Sequence, residues 1–325
     1  MNRSLLTRLA RPEAITLALL GVAFVVGTLL SPFFLDGRYL LDSTSLYMEV
    51  GIMALAMTFV IISGQIDLSV ASNLALTAVL CGKLHDAGDG LPMPVVLALY
   101  PLIGALLGLF NGAMVVGLKL PSLTVTLGTL ALYRGLAQVL AGDFSIGGFP
   151  EWFVGVDTRY AGPIPLPLIV FAALAIAFGL ALHKTTFGRA VYVIGLNEPA
   201  ARFSGLRVDR AKLAIFGISG LMAGVGAMLM SSRLYAARYD TAYGDELAVI
   251  TVVVLGGTDI FGGRGSIAGT VLALFLLGVI RTGMQLRDVP PDTQLVVVGT
   301  LLVAAVLLAR LSNAAAARVS HRRIT

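Results

Sequence analysis

Residues 185–210 read TTFGRAVYVIGLNEPAARFSGLRVDR and form a basic segment in a chain that is otherwise mostly apolar. Within this segment Asn197 can cap a helix, Pro199 suits the first turn, and Gly205 can end it. We therefore predict a short helix over residues 197–205, inside a cytoplasmic loop that covers residues 184–212. The basic charge of this loop predicts that it lies on the cytoplasmic side, which orients the neighbouring spans in the membrane. Its short helix is suited to contact a cytoplasmic partner.

The rest of the chain has the composition of an integral membrane protein. Hydrophobic residues make up 57% of the 325 residues and charged residues only 13%, against about 25% in soluble domains. The apolar runs suited to a bilayer cover residues 13–34, 46–63, 68–82, 93–118, 122–141, 164–183, 211–230, 247–255, 266–281 and 293–310. The run at 247–255 is short and ends in glycine, which predicts a broken or partly buried helix. We expect an all-α integral membrane protein with about ten transmembrane helices in a single domain, residues 1–325.

Basic residues are distributed unequally between the two sides of this predicted bundle. With the N-terminus inside, 15 basic residues face the cytoplasm and 7 face outside, while Arg134 falls within a span. This asymmetry predicts that both termini are cytoplasmic. Arg3, Arg8 and Arg11 imitate the start of a signal peptide, but the following run is long and lacks a cleavage signal, so we interpret it as a retained span. The net charge of +5 follows from these basic loops and requires no nucleic acid.

Cysteine and histidine are too sparse to predict a metal site or a disulfide. Cys81 is the single cysteine, and the three histidines are scattered along the sequence. No Gly-x-x-x-x-Gly-Lys-Ser/Thr motif is present, so any ATP is expected to be bound by a separate chain. We therefore expect no cofactor, no metal and no catalytic residue in this chain.

Two polar motifs interrupt the apolar runs. Residues 64–69 read GQIDLS, in which Asp67 can cap the following helix or contact a substrate. Residues 121–129 read PSLTVTLGT, and their hydroxyl side chains share one helical face. Such a stripe suits either hydrogen bonds to neighbouring helices or the wall of a wet pathway. The residues predicted to line a translocation pathway are Gln65, Asp67, Ser69, Ser122, Thr126, Thr129 and Arg134.

Arg134 has two interpretations because it lies inside a predicted span, nearer its outer end. It can snorkel to the outer interface or pair within the bundle, or it can take part directly in the translocation route.

Glycine marks a tight reversal and close helix packing. Residues 256–266 read GGTDIFGGRGS, which lacks the lysine and the preceding strand of a phosphate loop and predicts a cytoplasmic reversal between two spans. Glycines also recur at helical spacing, which predicts close helix packing, with a role in the pathway as the alternative. These glycines are Gly104, Gly108, Gly112, Gly217, Gly220 and Gly224.

In this order the motifs resemble those of the permease subunits of bacterial monosaccharide ABC importers, the ribose, xylose and galactose permease family. That family has Gly-Gly-Ile-Asp-Leu-Ser where residues 64–69 stand and a Thr-Leu-Gly-Thr type of segment at 126–129. It also has a Gly-Gly…Gly-Gly-x-Gly-Ser…Gly-Thr pattern, matching 256–270, and an Ala-Ala-Arg-x-Ser-Gly helix, matching 200–205. Through Ile-Gly-Gly-Phe-Pro at 146–150 the chain is most similar to the rhamnose and autoinducer-2 permeases. It departs at Gln65 and Ala71, where glycine is usual.

The resemblance implies an ABC importer permease fold in a bacterial inner (plasma) membrane. The cargo would be a monosaccharide such as rhamnose, with autoinducer-2 as the alternative. The implied partners are a cytoplasmic ABC ATPase, a second permease subunit that is identical or different, an extracytoplasmic sugar-binding protein and membrane lipid. Residues expected to couple to the ATPase are Asn197, Glu198, Ala200, Ala201, Arg202, Phe203, Ser204 and Gly205. The outer segments 143–163 and 235–246 are expected to contact the binding protein.

An ion-coupled secondary sugar transporter and a membrane enzyme are the competing functions. A secondary transporter usually keeps ionisable residues inside the membrane, and here the candidates are Asp67 and Arg134. An enzyme would need a cluster of catalytic side chains, and the sequence offers none. The helix at 197–205 favours the importer, because a secondary transporter has no ATPase to contact.

Overall fold

The computed structural model describes residues 12–86 and 90–321, and its regular structure is helical apart from one small hairpin. The terminal basic residues that contribute to the predicted orientation, Arg3, Arg8, Arg11, Arg322 and Arg323, lie outside the described residues.

The helices are numbered in chain order. The first six are α1 (Pro12–Leu30), α2 (Gly37–Thr44), α3 (Met48–Ile62), α4 (Val70–Asp86), α5 (Met93–Gly117) and α6 (Ser122–Ala141). A hairpin of β1 (Tyr160–Ala161) and β2 (Ile164–Pro165) follows. The remaining helices are α7 (Leu166–Lys184), α8 (Thr186–Leu196), α9 (Glu198–Phe203), α10 (Val208–Leu234), α11 (Asp245–Leu255), α12 (Ile267–Gln285) and α13 (Pro291–His321).

Each of the ten predicted apolar runs coincides with a helix. Within the part of the chain that the structure describes, six helical stretches are long and apolar enough to cross a membrane. They are Gly37–Ile62, Met93–Gly117, Ser122–Ala141, Leu166–Lys184, Val208–Leu234 and Ile267–Gln285. Shorter apolar stretches lie in α1 and α13. The total of ten spans and the placement of both termini in the cytoplasm remain predictions.

Helix α11 is the short, partly buried helix that the sequence predicts. It has 11 residues, so at about 1.5 Å per residue it covers roughly 16 Å of a hydrocarbon core about 30 Å thick. Its residues from Ala248 to Val254 are buried, and it ends at Gly256. A helix of this length is tolerated because most of its residues are buried in protein.

The centre of the bundle is built by α3 and α10. Every residue of α3 is buried, and α10 packs along α5 and also against α3 and α4. The α5–α10 contact brings two glycine faces together: a Cβ added at Gly220 would lie 2.1 Å from the Gly104 carbonyl oxygen, and one at Gly108 would lie 2.2 Å from the Phe216 carbonyl oxygen. The predicted close helix packing is therefore confirmed for these glycines, since only a missing side chain allows backbones to approach so closely.

The basic segment contains more helix than the sequence predicts. Its first part folds as α8, which begins at a cap where the Thr185 hydroxyl accepts a hydrogen bond from the Gly188 N–H at 3.1 Å. Val191 and Ile194 are buried, because apolar residues three positions apart share one helical face. The segment thus contains two consecutive helices, α8 and α9, of which the sequence predicts α9 but not α8.

Candidate functional site: helix α9 and the 64–69 turn

Helix α9 is the short helix predicted from the capping signals in the basic segment. The Asn197 side chain accepts a hydrogen bond from the Ala200 N–H at 3.0 Å, and Pro199 lies in the first turn. Gly205 follows the helix with a φ of +82°, a value that glycine adopts without strain. The predicted cap, first-turn proline and terminating glycine are therefore confirmed.

The two sides of α9 differ sharply in exposure. Ala201 is fully buried and packs with Ile194 and Val208, so its side chain supports the helix from behind and does not reach a partner. Phe203 is 93% exposed, although burying a phenylalanine side chain normally stabilises a protein. The other exposed residues of the predicted ATPase contact are Asn197, Ala200, Arg202, Ser204 and Gly205.

Four charged side chains fix α9 onto the start of α10, and we call Glu198, Arg202, Asp209 and Lys212 the charge cluster. The Arg202 guanidinium donates to both carboxylate oxygens of Asp209, at 2.5 and 3.1 Å, and to Glu198 Oε1 at 3.0 Å. Lys212 Nζ donates to Glu198 Oε2 at 2.7 Å. The described chain therefore engages Arg202 by itself, and the cluster ties the two helices together.

The protonation states in the charge cluster agree with this geometry. Burial by itself would raise the pKa of the Glu198 carboxyl, but hydrogen bonds from Lys212 and Arg202, together with their positive charges, hold that pKa below its usual range. Hydrogen bonds to Asp209 and Glu198 raise the pKa of the Arg202 guanidinium. Glu198 and Arg202 are consequently both charged at neutral pH.

The 64–69 turn joins α3 to α4 and lies against the glycine-rich segment 256–266. A Cβ added at Gly262 would lie 2.9 Å from the Gly64 backbone, and the Gly263 N–H donates to the Ile62 carbonyl at 2.8 Å. The segment itself reverses the chain between α11 and α12, where Ser266 caps α12. The predicted reversal between two helices is confirmed, and its glycines allow the close backbone contact.

Asp67 is the single acidic residue of the 64–69 turn, and it is buried, at 2% exposure. One carboxylate oxygen accepts from the Ser69 N–H at 3.0 Å and from the Ser69 hydroxyl at 2.7 Å. The other accepts from the Ser219 hydroxyl in α10 at 2.9 Å. Ser69 Oγ accepts in turn from the Asn111 amide in α5 at 2.8 Å. In this structure the carboxylate bonds to protein donors from two segments, which offsets the cost of burying it.

The hydroxyl stripe on α6 also holds the turn. Ser122 Oγ accepts from the Ile66 N–H at 3.1 Å, and the Thr126 hydroxyl donates to the Ile66 carbonyl at 3.2 Å. Thr129 bonds to the Val125 carbonyl of its own helix. The structure shows the stripe making hydrogen bonds to a neighbouring segment. These bonds satisfy the N–H and the carbonyl of Ile66, which lie outside any helix.

A cavity of about 820 Å³ lies between the turn and α9. Its wall contains Gln65 and Ser122 from the predicted pathway together with all four residues of the charge cluster. The structure thus brings part of the predicted pathway next to the predicted ATPase contact. The other predicted pathway residues, Asp67, Ser69, Thr126, Thr129 and Arg134, do not line this cavity.

Arg134 lies elsewhere, against the segment after α10. Its guanidinium donates to the Tyr239 carbonyl at 2.5 Å and to the Thr241 carbonyl at 2.7 Å. It also stands 5.7 Å from the centre of the Tyr243 ring, a favourable cation–π distance. In this conformation Arg134 pairs within the protein and anchors the 235–244 connection.

Three contributing residues are not predicted from the sequence. Ser219 and Asn111 carry no local signal, because nothing in α10 or α5 indicates that they meet the 64–69 turn. Glu49 does carry one: it is an acid at the start of an apolar run, where a charge needs a partner. Its partner is Arg233, at 2.9 Å, from the far end of α10.

Comparison with known proteins agrees with this architecture. Residues 39–306 match the model of a family described as the permease component of the branched-chain amino acid transport system. The chain is 39% identical over 296 residues to the Autoinducer 2 import system permease protein LsrD of Escherichia coli (strain K12) and of Shigella flexneri, which covers 89% of this chain and 89% of each relative. The corresponding protein of Escherichia coli O157:H7 is 38% identical over the same length. No solved structure matches.

These matches extend over most of the chain, and the helical bundle that the structure describes is that of a multi-pass membrane protein. Within an ABC transporter such a component moves cargo and does not itself catalyse a reaction. The chain therefore belongs to this family of membrane permease subunits of bacterial ABC importers.

Proposed function

We propose that this permease imports autoinducer-2 or a closely similar small molecule, and that rhamnose is not its cargo. The similarity to permeases named for autoinducer-2 import, 39% over 89% of both chains, carries this proposal. These relatives lend no support to rhamnose. The cavity of about 820 Å³ falls within the range of roughly 300–1,000 Å³ that small-molecule sites occupy.

We propose that residues 197–205 form the coupling helix that docks on a separate ATPase chain. Phe203 supports this assignment because a side chain 93% exposed is ready to enter a pocket on a partner, where aromatic residues often dominate binding energy. The charge cluster supports it too, because it holds α9 in a fixed orientation on α10. Ala201 contributes only from the inner side.

For the cargo route, Gln65 and Ser122 have the strongest support among the predicted pathway residues. Both line the cavity, and within the described residues the Gln65 amide donates one hydrogen bond, at 3.3 Å, to the neighbouring Gly64 carbonyl. That amide is available to donate to hydroxyl oxygens of a polar cargo. Asp67, Ser69 and Thr126 would act by shaping the turn that presents Gln65, whereas Thr129 bonds to carbonyls of its own helix.

We propose that the segments 143–163 and 235–246 form one docking surface for the binding protein. Ile146 and Ala237 exchange backbone hydrogen bonds at 2.9 and 2.8 Å, which joins the two segments. Phe144 and Tyr243 are 80% and 77% exposed there. A second permease subunit, identical or different, would complete the transporter in the membrane.

Transport by cells that lack other importers for both molecules tests the cargo. The permease is expressed with its ATPase and binding protein, and depletion of autoinducer-2 from the medium is compared with uptake of labelled rhamnose. We expect autoinducer-2 depletion and no rhamnose uptake. The control is the same system with an ATPase whose nucleotide-binding lysine is replaced, which should abolish depletion.

Two results would contradict the proposal in different ways. Rhamnose uptake without autoinducer-2 depletion would reject autoinducer-2 as the cargo but would still agree with ATP-driven import by this chain. Depletion that continues with the inactive ATPase would reject ATP-driven import by this chain.

A further inference from the structure

Helix α10 makes specific polar contacts at two levels. Asp209 and Lys212 in its first turns belong to the charge cluster, which holds α9. Ser219 follows Lys212 by seven residues, about 10 Å along a helix that rises 1.5 Å per residue. There its hydroxyl donates to Asp67 in the 64–69 turn at 2.9 Å. One continuous helix therefore contacts both the exposed α9 and the buried turn.

Helix α10 is packed backbone to backbone on α5, because their glycine faces leave no space between them. A Cβ at Gly224 would lie 2.2 Å from the Tyr100 carbonyl oxygen, so the two backbones are in direct contact. Asn111 of α5 donates to Ser69 Oγ at 2.8 Å. The turn is thus held by both members of a tightly packed pair, by Ser219 on one side and Asn111 on the other.

The element that the turn presents is Gln65. It lies two residues before Asp67, and it lines the cavity whose wall also contains the charge cluster. Among the described residues, the Gln65 N–H donates to the Val60 carbonyl of α3 at 3.0 Å, and the next residue, Ile66, bonds to Ser122 and Thr126 of α6. Because Asp67 bonds to α10 whereas Gln65 and Ile66 bond to α3 and α6, a shift of α10 relative to those two helices would pull on Asp67 and move Gln65 within the cavity.

We infer that Asp67 and Ser219 are positioning residues that transmit movement of α9 to Gln65. When the ATPase displaces α9, the charge cluster carries the displacement to α10, and the Ser219–Asp67 hydrogen bond carries it to the turn. Neither residue needs to contact the cargo. This inference rests on the proposed role of α9 as the ATPase contact.

Accessibility of a cysteine at position 65 measures this transmission without any cargo. Gln65→Cys is introduced, and the complex with the ATPase is labelled with N-ethylmaleimide in nanodiscs, with and without ATP and magnesium. Native Cys81 is fully buried and contributes little background. We expect ATP to change the labelling rate at position 65 several-fold. Ser219→Ala should abolish that change while the ATPase stays bound and still hydrolyses ATP.

Ser231→Ala is the matched control, since it removes another buried hydroxyl from α10 about 18 Å further along the helix. It should leave the ATP-dependent change intact. Asp67→Asn replaces one acceptor oxygen by a donor group and should act like Ser219→Ala. An ATP response that survives in both Ser219→Ala and Asp67→Asn would overturn the inference. If Gln65→Cys binds the ATPase but its labelling does not respond to ATP, the inference is rejected. If Phe203→Ala binds the ATPase as tightly as the parent chain, the proposed role of α9 is contradicted separately.

Discussion

At the residue scale, burial separates the residues of α9 that pack within the chain from those that face outward. Ala201 and Phe203 are two positions apart, yet one is fully buried and the other 93% exposed. A substitution at Ala201 would disturb packing with Ile194 and Val208, so loss of the ATPase there would not identify the contact. Phe203 is the informative position, because removing its ring changes almost no contact within the chain.

We expect Phe203→Ala to weaken ATPase binding without lowering the stability of the permease. Truncating a central aromatic residue of an interface typically costs about 2 kcal/mol or more, which corresponds to roughly 30-fold weaker binding. The measurements are titration of the purified permease with its ATPase and thermal unfolding in detergent.

Phe144→Ala is the control for this prediction, because Phe144 is 80% exposed but lies in the predicted outer segment. It should leave ATPase affinity unchanged. Equal affinities for Phe203→Ala and the parent chain would remove Phe203 from the interface.

At the element scale, the α5–α10 contact decides the geometry of the site. Ser219 and Asn111 can reach the 64–69 turn together only because glycines let the two helices meet backbone to backbone. Ionic contacts fix the same helix at its ends, through the charge cluster at the start and Glu49–Arg233 at the finish. The helix is therefore located by packing along its length and by polar bonds at defined points.

We expect Gly220→Ala to destabilise the permease and to impair transport. The added methyl group would lie 2.1 Å from the Gly104 carbonyl oxygen, so the helices must separate. Overpacking of this kind costs about 1–3 kcal/mol. The loss is measured as a lower unfolding temperature in detergent, alongside uptake at equal expression.

Gly128→Ala makes the same chemical change in helix α6, at a position where an added Cβ meets nothing within 4 Å. Alanine is favoured over glycine in a helix by up to about 1 kcal/mol, so this variant should be neutral or slightly more stable. Equal losses in the two variants would show that the α5–α10 approach is not what matters.

At the scale of the whole molecule, the two proposed docking surfaces lie at opposite ends of α10. The charge cluster holds α9 near its start, and the Gly155 N–H donates to the Ser232 carbonyl near its end at 2.9 Å. The helix has 27 residues, about 40 Å in length, which is enough to cross a bilayer. The ATPase and the binding protein would therefore contact opposite sides of the membrane.

Cysteine labelling of intact cells tests this orientation. Ala161→Cys and Ala200→Cys both lie at exposed positions, one in the β1 strand and the other in α9. We expect an impermeant maleimide added outside to label position 161 and not position 200. Protection of position 161, or outside labelling of position 200, would reject the predicted topology.

The sequence by itself predicts the features that depend on local chemistry. Apolar runs place a helix at each of the ten predicted positions, and Asn197, Pro199 and Gly205 fix α9 because capping acts within one turn of the backbone. The motifs at 64–69, 121–129, 200–205 and 256–270 indicate the permease family without any knowledge of the tertiary structure. The helix α8 was missed because the basic charge of the segment obscured a short apolar stripe.

Only the tertiary structure shows which side of α9 is buried, which groups donate hydrogen bonds to Asp67, and which carbonyls bind Arg134. Ser219 is 152 residues away from Asp67 along the chain, and no pattern within a few residues of either one encodes their meeting. That contact depends on how α10 packs on α5 and on how the turn fits between them. A capping signal acts over one helical turn, whereas the partner of a buried carboxylate is set by the packing of the whole bundle.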